Sequence, residues 1–223
     1  MATQRASGPD QQVEERVARY GNEHKEETRR RIIESAGRRL KRDGIDGSGI
    51  AALMADAGLT NGAFYAHFAS KEDLVASVVQ EELRLQSVNL GMLVPGVAGV
   101  EQLIRAYLSP EHRDHREAGC PSAALLDEIG RSAEVTKDAY TAGTKNLIDE
   151  IATRLLPEDP ESAHGRALIL FTTIIGTLQL ARAVTDPDLA DEALAHGLER
   201  ALTHLDVEPV AGSRRDQPTG GQR

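Results

Sequence analysis

A stretch near residue 60 concentrates side chains suited to hydrogen bonding with a nucleic acid. It begins with Thr60 and Asn61, and the amide of Asn61 offers both a donor and an acceptor to a base edge. Gly62 and Ala63 are small, which lets the backbone come close to a partner. Groups suited to phosphate oxygens complete the set: Tyr65, His67, Lys71 and, upstream, Ser48.

Two short helices joined by a tight turn must position these groups. The pattern predicts a helix over 49–57, a turn at Gly58 and a second helix over 61–68. Phe64 and Phe68 are four residues apart, so they share a face that we expect to pack on the preceding helices, opposite the polar side chains. This arrangement is a helix-turn-helix, whose second helix enters the major groove of DNA. The spacing alone also fits a helical hairpin without a ligand.

The same stretch holds a turn, a hydroxyl cap, a small residue and an aromatic-Tyr-x-His-Phe-x-x-Lys run: Gly58, Leu59, Thr60, Gly62, Phe64, Tyr65, His67, Phe68 and Lys71. This combination strongly resembles the DNA-binding domain of the TetR/AcrR family of bacterial transcriptional regulators. The resemblance covers residues 25–79, with the helix-turn-helix at about 51–70. Family members often carry a hydroxyl and a basic or polar residue where this chain has Gly49 and Ala51, which leaves Ser48 as the phosphate donor there.

The resemblance implies an all-α fold of about nine helices, in which an N-terminal three-helix domain precedes a helical ligand-binding and dimerisation domain. We expect a flexible arm over 1–24, the DNA-binding domain over 25–79, the effector-binding and dimerisation domain over 80–206, and a disordered tail over 207–223. The implied partners are a second copy of the chain, a palindromic double-stranded operator and a small-molecule effector that releases it. Repression is the usual mode in the family.

The charge is distributed unevenly along the 223 residues, whose net charge is −9. Residues 1–75 carry 12 basic and 12 acidic side chains, so all the excess acidity lies beyond them. The segment 28–42 is rich in Arg and has a single acid, Glu34. Such a run indicates either a contact with an anion or an ordinary solvated helix face.

Cysteine usage and hydropathy favour a cytoplasmic, nucleoid-associated protein. Cys120 is the single cysteine, which suits a reducing compartment. The first residues lack an apolar signal-peptide core, and no apolar run is expected to span a bilayer, so we predict no membrane partner.

No enzymatic motif is recognisable: there is no nucleophile elbow, phosphate-binding glycine loop or metal motif. We therefore predict no catalytic residue, no cofactor and no metal site, because His112, His115 and Cys120 are too loosely spaced for one. One alternative is a redox or electrophile sensor, with Arg116 and a following helix N-terminus lowering the pKa of Cys120. Another is a helical interaction module without DNA affinity.

The segment 161–184 is apolar nearly all round, so it must be buried on more than one side. Gly165 and Gly176 would let a partner helix approach, and with the helix over 188–205 it would form half of a four-helix dimer interface. The alternative is the core helix of a monomer. Polar residues on otherwise apolar helices are the candidate effector ligands: Tyr107, Asp127, Tyr140, Thr144, Thr172, Thr173 and Gln179. Aliphatic residues surround them, so the expected effector is largely apolar.

Overall fold

The computed structural model describes residues 9–205, with side chains described from residue 22 onward. Helices are the only regular elements in this range, so the predicted all-α class is confirmed. There are nine α-helices and two short 3₁₀ helices, Asn61–Ala66 and Arg116–Ala118. The α-helices are α1 Pro9–Asp43, α2 Ile50–Asp56, α3 Lys71–Met92, α4 Val97–Tyr107, α5 Pro110–Asp114, α6 Pro121–Arg131, α7 Glu134–Leu155, α8 Pro160–Ala183 and α9 Pro187–Thr203.

Helix α1 begins earlier than the sequence predicts. The expected flexible arm over 1–24 is helical from Pro9 onward, while residues 1–8 and the predicted tail over 207–223 lie outside the described residues. Residues 10–20 contain no Gly or Pro and are rich in Gln, Glu, Arg and Ala, which favour a helix even without an apolar stripe. The helix ends at Asp43, because Gly44 takes a left-handed φ of 82° that stops it.

The helix-turn-helix elements lie against α1. Gly58, with a φ of 69°, forms the turn between α2 and the 3₁₀ helix Asn61–Ala66, as a residue without Cβ can do at low cost. The second helix was expected over 61–68, and it is a tighter 3₁₀ helix that ends two residues earlier. Ile32, Leu40 and Leu53 are fully buried in the core that α1 and α2 share.

Helix α3 follows the helix-turn-helix elements and packs on both α1 and α7. Ser70 caps it by accepting a hydrogen bond from Asp73 N at 3.2 Å, and Asp73 Oδ2 accepts one from Ala69 N at 2.9 Å. The helix then continues unbroken to Met92, across the domain boundary predicted at residue 79. Its main packing partner is α7, which packs in turn on α8, and α8 on α9.

Helix α8 is buried on one side and exposed on the other. Leu170, Ile174 and Leu178 lie in the core, whereas Ile169 and Leu180 are about half exposed. By length and composition α8 is also able to cross a membrane, so the expectation that no apolar run is long enough is wrong. Charged residues near the two ends of α8 shorten its uninterrupted apolar run: Glu161, Arg166 and Arg182. Here it packs on α6, α7 and α9, as the core helix of a helical domain does.

Candidate nucleic-acid interface and ligand cavity

The 3₁₀ helix Asn61–Ala66 has an apolar back and an exposed front. Phe64 and Phe68 are buried, with ring centroids 5.7 Å apart, and this confirms the predicted packing face. The ring of Tyr65 meets Phe64 edge-on at 5.2 Å, yet the Tyr65 side chain is 71% exposed. Other exposed residues on the front are Thr60, Asn61, Gly62 and Ala66, with Ala63 half-buried among them. Four small or polar residues and one phenol thus face solvent from a fixed base.

Arg29 supports the back of this helix, a role that no sequence pattern distinguishes from those of the neighbouring arginines. Its guanidinium carbon lies 4.7 Å from the ring centre of Phe68, and Nη2 donates to Ser77 Oγ at 2.8 Å. A cation over an aromatic face is attracted by the ring quadrupole. Arg29 therefore joins α1, the segment after the 3₁₀ helix, and α3.

Two of the predicted phosphate contacts are engaged inside the fold. Ser48 is fully buried, and its Oγ donates to Gly44 O at 2.7 Å, so its assignment as a surface donor is wrong. The N-cap of α2 is Gly49, which has no side chain to offer. Lys71 is half-buried and donates to Ile45 O at 2.6 Å. An ammonium has three donors, so Lys71 keeps two for another acceptor.

His67 lies at the edge of the exposed front and is half-buried. Its Nδ1 is buried and has no hydrogen-bond partner within the described chain. Burial, reinforced by the positive charges of Lys25 and Arg29, lowers the pKa of His67. The ring is therefore neutral at pH 7 in the free protein.

The arginine-rich part of α1 is largely neutralised by its own acidic neighbours. Five of the seven basic residues between 28 and 42 form ion pairs: Arg30 with Glu27, Arg38 with Glu34, Arg39 with Asp43 and Asp56, Lys41 with Glu82, and Arg42 with Asp43. These ion pairs argue against a free anion-binding surface on this segment and favour an ordinary solvated helix face.

A cavity of about 630 Å³ lies among α1, α3, α4, α5, α7, α8 and the segment 117–120. Most of its wall is aliphatic or aromatic: Leu85, Leu90, Leu93, Leu103, Ala106, Leu147, Ile151, Phe171 and Ile174. Uncharged polar or weakly polar side chains on the wall are Gln86, Asn89, Gln102, Tyr107, His112 and Cys120, and Glu82 and Glu117 add two carboxylates. Helix α1 adds Glu34, Arg38 and Lys41, so the cavity touches the helix that supports the 3₁₀ helix.

Four of these residues form a polar corner: Gln86, Tyr107, His112 and Cys120. The His112 ring meets the Tyr107 ring edge-on at 4.7 Å. Its Nδ1 lies 2.8 Å from Tyr107 O and must donate to it, while Nε2 accepts from Cys120 N at 3.2 Å. The Cys120 thiol is buried and donates to Gln86 Oε1 at 3.4 Å. Burial lowers the pKa of His112, which fits this neutral tautomer.

The predicted effector residues are mostly elsewhere, and Tyr107 is the one member of the set on the cavity wall. Asp127 is exposed and pairs with Arg131. The Tyr140 hydroxyl donates to Ser122 Oγ at 3.0 Å, and Thr144 follows it one turn later on α7. Thr172 and Thr173 bond to carbonyls of their own helix, and Gln179 Nε2 donates to Ser122 O at 3.5 Å.

The residues off the cavity wall therefore stay predictions; Thr172 and Thr173 bond within their own helix, as hydroxyl residues in a helix often do. The polar cavity residues that the sequence missed lie on α3, α4 and the loop before α6. The available signal was the pair Gln86 and Asn89, three residues apart on the otherwise apolar α3.

A carboxylate connects the C-terminal helices to the turn after α1. Glu128, on α6, accepts hydrogen bonds on Oε2 from Ile45 N at 2.5 Å and from Asp46 N at 3.1 Å. Lys71 donates to the carbonyl of the same Ile45. The turn between α1 and α2 is thus held from two sides, by α6 and by α3.

The residues weighed for a metal are occupied otherwise. Both ring nitrogens of His112 have partners, and His115 is exposed beside Glu117. Across the part of the chain that the structure describes, no group of three or more His, Cys, Asp or Glu side chains is placed to hold a metal ion.

A short helix with a buried back and an exposed front follows a glycine turn, and a helical body with a cavity comes after it. This arrangement is a helix-turn-helix domain joined to a helical body. Residues 32–78 match the family model described as bacterial regulatory proteins, tetR family. The match spans the helix-turn-helix and the first part of α3, so this segment is similar to the DNA-binding domain of that family.

Solved structures show the same fold over most of the chain. The reduced form of E. coli NemR is 19% identical with a TM-score of 0.66, over 81% of this chain and 95% of NemR. A TetR-family regulator from Agrobacterium tumefaciens is 21% identical with a TM-score of 0.65, over 79% and 98%. FadR from Bacillus subtilis, in complex with stearoyl-CoA, is 16% identical with a TM-score of 0.59, over 78% and 96%. No curated protein matches at a significant level.

Proposed function

We propose that the protein is a dimeric repressor that binds a two-fold DNA operator and leaves it when a small molecule fills the cavity. Residues 25–79 bind DNA in this proposal, and residues 80–206 bind the effector and dimerise, in the cytoplasm at the nucleoid. The observation that carries it is the exposed front of the 3₁₀ helix Asn61–Ala66, held rigidly by Phe64 and Phe68. The family model covers this surface.

The proposed DNA contacts follow from exposure. Thr60 and Asn61 stand at the start of the 3₁₀ helix, where the motif meets base edges. Gly62 and Ala63 let the backbone approach the groove. Tyr65 projects furthest and donates to a phosphate, with smaller contributions from His67 and the spare donors of Lys71. Asn61 is the residue that would discriminate between bases.

The proposed dimer face is the exposed side of α8. Leu168, Ile169, Thr172, Gly176 and Leu180 recur at helical spacing, and all are exposed. A Cβ built at Gly176 would meet no atom within 4 Å, so the face is open there. A long apolar stripe exposed to water is typical of a protein interface. A two-fold operator also requires a two-fold protein.

The proposed release mechanism uses the contacts between the cavity and α1. Lys41 is buried on the cavity wall and pairs with Glu82 on α3 at 2.7 Å. A ligand that displaces either helix would shift α1 relative to α3, and the clamp of Glu128 on the Ile45 turn would carry the shift to α2. The spacing of the two recognition segments in a dimer would then no longer match successive major grooves.

The test is a binding titration of the full chain with the DNA immediately upstream of its own gene, against a scrambled duplex, at several salt concentrations. We expect saturable binding that prefers the natural duplex and weakens steeply with salt. Tyr65→Ala should weaken it by about tenfold or more, since a phosphate contact and a large contact surface are lost.

Met92→Ala is the matched control, because Met92 is 73% exposed but lies at the far end of α3. Equal loss in the two variants would refute the proposed face. Binding no better than to the scrambled duplex, both upstream and in a genome-wide selection, would favour the helical interaction module. A sensor role for Cys120 stays a separate prediction, and its buried, hydrogen-bonded thiol gives it no added support.

A further inference from the structure

The Tyr107 hydroxyl is a buried donor beside the Cys120 thiol, which is a weak hydrogen-bond acceptor. Tyr107 lies on the cavity wall with 8% of its surface exposed, and its hydroxyl oxygen has no other hydrogen-bond partner in the described part of the chain. Burial, with a further contribution from Cys120, raises the pKa of Tyr107 well above its usual range, so the group keeps its proton. A buried hydroxyl with only a weak acceptor costs free energy that a ligand oxygen would recover.

The charges on the cavity wall are already compensated. Arg38 pairs with Glu34, and Lys41 with Glu82. Glu117, also on the wall, adds a negative charge next to exposed His115. A carboxylate in the cavity would therefore find no free cation on the wall and would face extra acid.

Arg182 is a further cation next to the polar corner, and it is not on the cavity wall. Its Nε donates to Arg113 O at 3.2 Å and its Nη2 to His112 O at 2.5 Å. The remaining Nη1 is buried without a partner, and the side chain lines a separate, smaller pocket with Arg113 and Arg116. Arg182 therefore supports the His112 segment and leaves the cavity without an anion-binding group.

We propose that the cavity takes an uncharged, largely apolar molecule whose carbonyl or ether oxygen accepts a hydrogen bond from the Tyr107 hydroxyl. This deepens the proposed function and rests on the cavity being its effector site. A volume of about 630 Å³ suits a molecule of drug size. The aliphatic wall buries the body of the ligand, and Tyr107 fixes the end that carries the oxygen.

The test uses three probes with one skeleton: naphthyl methyl ketone, ethylnaphthalene and naphthoate. Binding to the full chain is measured by calorimetry without DNA. We expect the ketone to bind about tenfold more tightly than the hydrocarbon, as one recovered hydrogen bond provides. Naphthoate should bind least. Tyr107→Phe should bring the ketone down to the affinity of the hydrocarbon and leave the hydrocarbon unchanged.

Tyr140→Phe is the control, because the Tyr140 hydroxyl bonds to Ser122 away from the cavity wall, and the ketone should keep its advantage. Equal affinity for ketone and hydrocarbon, tightest binding of naphthoate, or no binding of either neutral probe would overturn the proposal. The wild-type comparison decides by itself if Tyr107→Phe does not fold. Because DNA is absent, failure of operator binding and failure of this proposal are separate results.

Discussion

The 3₁₀ helix Asn61–Ala66 and the cavity treat polar side chains in opposite ways. On the 3₁₀ helix the polar groups face water and the aromatic rings lie behind them, so each group is satisfied before any partner arrives. In the cavity the polar groups lie among aliphatic side chains, and the Tyr107 hydroxyl has only the weakly accepting Cys120 thiol beside it. The first surface is ready to exchange water for a hydrated polyanion, while the second gains most from a molecule that brings one oxygen and little else polar.

The largest expected effect separates the back of the 3₁₀ helix from its front. Phe64→Ala removes a fully buried ring and should lower the free energy of unfolding by about 3–5 kcal/mol. Tyr65→Ala changes a side chain that is 71% exposed and should stay within about 0.5 kcal/mol of the wild type. Urea unfolding of both variants measures the difference. Similar losses in the two would show that the helix has no distinct back and front.

The contact of Glu128 on α6 with the turn at Ile45 should show the next largest effect. Glu128→Ala leaves Ile45 N and Asp46 N without their charged acceptor and should cost about 1.5–3 kcal/mol in urea unfolding. Asp127→Ala is the neighbouring control, since its exposed pair with Arg131 contributes less than about 1 kcal/mol. If the two substitutions cost the same, α6 does not hold the Ile45 turn.

Substituting Tyr107 and Tyr140 by Phe should change the free energy of unfolding in opposite directions. Tyr107→Phe deletes a buried hydroxyl with only a weak acceptor and should raise the free energy of unfolding of the ligand-free protein by up to about 1 kcal/mol. Tyr140→Phe deletes a hydroxyl that bonds to Ser122 and should lower it by about 1 kcal/mol. Thermal unfolding of both variants gives the comparison. A loss of stability in Tyr107→Phe would mean that its hydroxyl has a strong partner in the free protein.

The same contrast explains what the sequence could predict. Residues 58–71 form one local motif, so the turn at Gly58, the cap at Ser70 and the buried face of Phe64 and Phe68 follow from spacing. Ser48 lies upstream of this motif, and its prediction as a phosphate donor failed. Its hydroxyl bonds back to Gly44 O, and spacing alone does not decide which acceptor a serine hydroxyl takes.

The cavity depends on helices far apart in the chain, and the sequence located it poorly. Its wall combines Lys41, Gln86, Tyr107 and Phe171, which no periodicity connects. Polarity on an apolar helix identified Tyr107 but equally selected Thr172, which bonds to its own helix. Local patterns therefore predict a motif that one segment builds, while a cavity between segments requires knowledge of which helix faces pack together.

The smallest expected effect concerns His112 and pH. Burial lowers the folded pKa of His112, so between this value and the unfolded value of about 6.5 the unfolded chain binds more protons than the folded one. Stability from the neutral ring is complete above about pH 7 and declines as pH falls through this window.

His112→Asn removes the titration and keeps a donor for Tyr107 O. The thermal midpoint of the wild type should therefore fall relative to that of the variant between about pH 7.5 and pH 5.5, although partial exposure of the ring keeps the shift small. Parallel midpoints over this range would show that His112 accepts a proton in the folded protein as readily as in the unfolded one. In that case the polar corner would be more accessible to water than its hydrogen bonds indicate.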